Sequence, residues 1–158
     1  MSQKTEVALV LPDIRSAHNV GSIFRTADAA GVSRVVLCGY TPRPVDKFDR
    51  VQKEIAKTAL GGEKSIQWIY EKSVTKTINS LKKEGFAIVA IEQSEKSVDY
   101  RKLKIPKKIA LLVGNEVKGL PKKILDKCDS IIEIPMRGEK ESLNVGVAAG
   151  IVLFEILK

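Results

Sequence analysis

Six short apolar runs set the terms for any fold this chain can adopt. They are EVALVLP, RVVLCG, IQWIY, FAIVAIE, IALLVG and SIIEIP, spread over 158 residues. A strand apolar along its length is buried on both faces, and that is the habit of a parallel sheet covered by helices. The stretches between them supply the helices. IFRTADAAG reads as a helix closed by Gly31, and a second is expected near Asp49–Ala59. SVTKTINSLKKEG is amphipathic, with Val74, Ile78 and Leu81 on one face and Gly85 as its stop. A short helix follows NEVKGLP, and the last helix runs from about Ser142 to Leu157. RKLKIPKK reads as a basic linker. The expected fold is α/β, a mostly parallel six-stranded sheet with helices on both faces, in a single domain over residues 1–158.

In such sheets ligands bind beyond the carboxyl ends of the strands, so the loops there matter most. Three are unusual: PDIRSAHNVGSIFR, GNEVKGLP and PMRGEKESLN. The first places Asn19 and Arg25 six residues apart around Gly21. If Ser22 opens the helix, Arg25 sits in its first turn and could clamp a phosphate; a solvated surface arginine is the plainer reading. His18 reads as an ordinary loop residue. The second loop is neither a P-loop, lacking G-x-x-x-x-G-K-S/T, nor a dinucleotide fingerprint, lacking G-x-G-x-x-G. The third ends in ESLN, where Ser142 or Asn144 would cap the last helix and present N–H donors outward. Gly146 and Gly150 with Ala148 and Ala149 permit close packing, internal or between subunits.

Charge narrows the partner. Lys plus Arg is 27 against 19 acidic residues, a net +8. A polyanion and a merely solvated basic surface are equally open on that ground. One His, and two cysteines far apart (Cys38 and Cys128), give no zinc spacing, so no metal is expected. The thiols suit a reduced, cytoplasmic setting. MSQKTEVALVLPD does not read as a signal peptide, and the apolar run Val145–Leu157, at 13 residues, is too short for a bilayer; no membrane association is expected.

Together NVGSIFRTADAAGV, LLVGNEVKGLP and IEIPMRGEKESLNVGVAAG resemble the three motifs of the SpoU (TrmH-like) RNA ribose 2′-O-methyltransferases of the SPOUT superfamily. KTALGGE and VAIEQS are similar to family segments too, and the likeness runs from about Val7 to Leu157. The resemblance implies a C-terminal trefoil knot, against the general rarity of knots. It also implies a homodimer with the active site near the interface, and S-adenosyl-L-methionine held bent by the loops of motifs two and three. Ile134 and Met136 would line the adenine pocket, with Leu143, Gly114, Ile91 and Glu92 completing it. Arg25 would be catalytic, with Asn19 positioning it or the dimer partner's loop, Glu116 ordering the motif-two loop, and Ser142 and Asn144 lining the reaction centre. The reaction implied is methyl transfer to a ribose 2′-hydroxyl of RNA, tRNA first and ribosomal RNA second. Many relatives have Ser where this chain has Gly146, and many carry an added RNA-binding domain or helical extension that is not evident here. The RNA grip is therefore expected on Arg43–Lys57, Arg101–Lys108, Lys118, Lys122 and Lys123 of the dimer surface. A silent knotted RNA-binding protein, or an unrelated nucleotide-binding α/β enzyme, are the other readings of the chain.

Overall fold

The computed structural model describes residues 4–158. In chain order the elements are β1 (Glu6–Pro12), α1 (Ala17–Ala30), β2 (Arg34–Cys38), α2 (Lys53–Ala59), α3 (Gly62–Ser65), β3 (Gln67–Glu71), α4 (Val74–Lys83), β4 (Ala87–Ile91), β5 (Val98–Asp99), β6 (Lys108–Val113), α5 (Lys122–Leu125), β7 (Ser130–Glu133) and α6 (Val145–Ile156). The strands form one sheet in the order β3-β2-β1-β6-β4-β7-β5. Every pairing is parallel.

The double burial expected of the apolar runs has its cause in the side-chain period of two. Along β1, Val7, Leu9 and Leu11 join α1, α2 and α6 in one core. Ala8 and Val10 turn the other way, onto Ile78 and Leu81 of α4 and Ile124 of α5. Each fully buried Leu or Ile stabilises the fold by about 1.5–3 kcal/mol relative to exposure. The order of strands brings the ends of β4, β6 and β7 side by side, and there the site forms.

Four expectations are corrected. The sheet has seven strands, not six. The addition is β5, two residues paired with Ile132 and Glu133 of β7, too short to carry a hydrophobic pattern. The first helix opens at Ala17, not Ser22, with Ser16 as its cap; the Ser16 hydroxyl accepts the Asn19 N–H at 3.1 Å. Gly21, which suggested a loop, lies inside the helix because α2 packs there. A Cβ on it would come 2.5 Å from the Ile55 carbonyl oxygen. The helix expected near Asp49–Ala59 starts at Lys53, because Asp46 folds the preceding residues into a tight loop and Asp49 takes φ 58°. The last helix begins at Val145, capped by Asn144 rather than Ser142.

Candidate functional site

A cavity of about 480 Å³ opens at the carboxyl ends of β4, β6 and β7. Ile91 and Glu92 reach it from β4, Gly114 and Glu116 from β6, and Ile134 and Met136 from β7. Ser142, Leu143 and Asn144 close it from the segment before α6, and Asn19 enters from α1. These residues come from five parts of the chain, yet share one cavity. Arg25 does not line it. It stands on the third turn of α1, exposed, where α3 packs against the Phe24–Arg25 backbone. An arginine in the first turn would have faced the sheet edge; the early start of α1 moves Arg25 about 9 Å along the helix from Asn19.

Glu116 joins the loops. Its carboxylate accepts the N–H groups of Arg15 (3.0 Å) and Ser16 (2.9 Å) and the Asn19 amide (3.2 Å). The Asn19 carbonyl in turn accepts the Asn144 amide at 3.1 Å. Asn144 Oδ1 accepts the N–H groups of Gly146 and Val147. One polar chain thus ties the loop after β6 to the starts of both α1 and α6. Burial alone would push the Glu116 carboxyl upward. The Arg15 and Ser16 N–H groups and the Asn19 amide outweigh it and hold the group below its ordinary 4.5. With the folded value depressed, the link is complete above that pH and is lost as pH falls through the lowered value. Amide exchange at Arg15 and Ser16, corrected for intrinsic rates, should therefore lose protection on acidification. Glu116→Gln should show the loosened state already at neutral pH; full protection in that variant would contradict the assignment.

Glu92 borders the cavity and also holds the turn after β6. Its oxygens accept the N–H of Gln93 at 3.0 Å and of Leu120 at 2.8 Å. Gly119, at φ 66°, passes so near that a Cβ would run into the Glu92 carboxylate. Gly114 likewise admits its own chain: a Cβ there would lie 2.7 Å from the Gly119 carbonyl carbon and 2.8 Å from the Leu120 nitrogen. Two further residues escaped the sequence reading. Asn115, nearly buried, donates to the Asp13 carbonyl and the Tyr40 hydroxyl, both at 2.8 Å, and accepts from Val117 and Lys118. Gln93 donates to the Glu141 carbonyl at 2.6 Å, fastening the last loop to the end of β4. An Asn at the head of a Gly-bounded turn was the available signal for the first; nothing local marked the second.

The cavity can take a ligand with one apolar and one polar end. Ile91, Ile134, Met136 and Leu143 offer the former; Asn19, Glu116, Ser142 and Asn144 offer the latter. Neither cysteine belongs to it, and burial pushes both thiols up to about 11, so they stay protonated at neutral pH. Among the described residues, no group of three His, Cys, Asp or Glu could hold a metal ion, and no helix is long and apolar enough to cross a membrane.

Comparison with known proteins bears on this geometry. The SpoU rRNA methylase family model matches residues 6–154. A Staphylococcus aureus protein assigned to the TrmH family of tRNA/rRNA methyltransferases is 35% identical over 150 residues, 95% of this chain and 58% of that one. The AdoMet-bound rRNA methyltransferase of Sinorhizobium meliloti superposes with a TM-score of 0.87 at 34% identity, covering 98% of this chain and 56% of that one. A solved RNA 2′-O ribose methyltransferase gives 0.83 at 26% identity, covering 99% and 57%. The chain thus spans under three-fifths of the length of these relatives.

Proposed function

The chain belongs to the SpoU rRNA methylase family, and from that membership we propose that it transfers a methyl group from S-adenosyl-L-methionine to a ribose 2′-hydroxyl of RNA. One observation carries the reading: the three motif segments meet around a single cavity, joined through Glu116, Asn19 and Asn144. Its volume lies in the range of cofactor pockets, roughly 300–1,000 Å³. Its apolar face suits a flat base, with Met136 adaptable enough to follow one; its polar wall suits an amino-acid end. AdoMet in the Sinorhizobium meliloti relative supports the choice of cofactor. tRNA is the substrate to try first and ribosomal RNA second, the Staphylococcus aureus relative being named for both. The cytoplasm is the setting this implies.

The bound cofactor supplies an electrophilic methyl group on a sulfonium centre. The ribose hydroxyl is a weak nucleophile that must shed its proton as it attacks. A guanidinium is a donor with no acceptor, so the part of Arg25 is to stabilise the growing negative charge or to hold an RNA phosphate. Asn19, Ser142 and Asn144 fix the reacting groups at the polar wall. Positive charge disappears during transfer, so a pocket of low polarity would favour it.

Arg25 outside the cavity of its own chain fits an active site completed by a second copy. Support comes from α6, whose outer face carries Val147, Ile151 and Phe154 at helical spacing, the last 54% exposed. A homodimer closed on this face would bring the α1 helices, which pack beside α6, to the junction. Phe154→Glu should shift the protein to monomer in sedimentation and cut methyl transfer; an unchanged dimer would remove this interface. The C-terminal trefoil knot belongs to the same proposal, supported by β7 lying beyond β4 while α6 returns against α1.

Labelled S-adenosyl-methionine incubated with bulk small RNA and with ribosomal RNA should leave label in ribose after nuclease digestion. Intact cofactor binding with no incorporation into either would favour the second reading, a silent RNA-binding protein, to which the distance of Arg25 from the cavity also points.

A further inference from the structure

We propose that the cavity under the loop after β2 is a second RNA subsite, which holds an unpaired nucleotide beside the one that is methylated. It rests on the RNA methyltransferase reading for its context, but on its own residues for its chemistry. The cavity, about 520 Å³, is bordered by Tyr40, Arg43, Asp46, Arg50 and Tyr70.

The loop above it is built, not slack. Val45 and Val51 form an antiparallel bridge across it. The Asp46 carboxylate accepts the N–H of Phe48 at 2.8 Å and of Arg50 at 3.0 Å, and the Arg50 Nε at 2.8 Å. The Arg50 N–H foremost among these holds the Asp46 carboxyl below its usual range, so the clasp stays charged near neutrality. What this order presents to water is an aromatic ring. Phe48 is 64% exposed, with Lys47 5.1 Å and the Arg50 guanidinium 5.0 Å from its centre. A fixed, exposed ring with two cations close by has the make-up of a stacking platform for a base, with charge for the adjoining phosphates.

Below, the Arg43 guanidinium lies 4.2 Å from the centre of the Tyr70 ring, whose hydroxyl donates to the Gly39 carbonyl. Among the described residues Arg43 forms no ion pair, so its charge is free for a phosphate. The two cavities are linked by a hydrogen bond. Tyr40, 59% exposed, borders this one, and its hydroxyl accepts the amide of Asn115, which borders the other. A strand with a base and a phosphate at each step matches this succession of ring, guanidinium and cavity. A duplex keeps its base faces stacked inside, so the strand must be single.

Fluorescence anisotropy with a labelled eight-nucleotide oligouridylate and a blunt RNA duplex of equal length tests the assignment. Phe48→Ala should weaken binding of the single strand about tenfold or more, the usual effect of losing one stacked base. Arg43→Gln should lower the slope of log affinity against log salt by about 0.7. Both variants should bind S-adenosyl-methionine as the parent does, since neither residue borders its cavity. Unchanged affinity in both, preference for the duplex, or equal competition by polyglutamate would overturn the subsite. Methyl transfer is scored separately. Label entering RNA with Phe48→Ala as active and as tight-binding as the parent would leave the enzyme and remove the subsite. Weakened oligonucleotide binding with no transfer by the parent would do the reverse.

Discussion

Arg25→Ala should lower methyl transfer by at least about 10²-fold, the scale on which a preorganised charge-stabilising group acts, and leave S-adenosyl-methionine affinity at its parent value. The second half of that expectation comes from position. Arg25 is exposed on α1 and borders no part of the cavity that would receive the cofactor. Single-turnover transfer to RNA reads the first effect and calorimetric titration the second. Loss of cofactor binding would show a structural role instead and end the catalytic assignment. A mixing experiment goes further. Dimers combining Arg25→Ala with an Asn144→Ala partner should recover part of the activity if the guanidinium serves the neighbouring cavity, and none if it serves its own.

Gly114→Ala should be nearly as damaging, by another route. The new methyl would fall 2.7 Å from one backbone atom and 2.8 Å from another in the turn after β6. Backbone cannot swing aside as a side chain can, so the turn must move, at about 1–3 kcal/mol. Glu92 and Gly119 are locked to the same turn, so displacement carries into the cavity wall. Cofactor affinity should fall at least tenfold while the fold is kept, with a lower midpoint in denaturant. Parent-like affinity would mean that the turn does not shape the pocket.

The strands were legible because burial on both faces writes itself as a run of apolar residues, and six of the seven could be read that way. β5 could not, since two residues at a sheet edge have no period. Helix starts failed where one residue had two uses. Gly21 breaks a helix in isolation, yet here it lets α2 come close. Asp49 and Arg50 look helical by type, but the Asp46 carboxylate claims their turn. For the site, motif resemblance assembled ten residues that the structure places around one cavity. It missed Asn115 and Gln93, whose work is to hold other loops in place through long-range hydrogen bonds.

The sequence by itself determined the class of fold and the segments that matter, because side-chain period and turn chemistry are local. It also determined the basic surface, which is a count. Only the tertiary structure decided which residues share a wall. The meeting of Glu116 with Asn19, 97 positions apart, and of Asn19 with Asn144, 125 apart, depends on strand order. So does the distance of Arg25 from the cavity, since the helix that carries it is set by packing against α2 and α3. Contacts of that range arise from how whole elements bury their faces together, and no local pattern of residues encodes them.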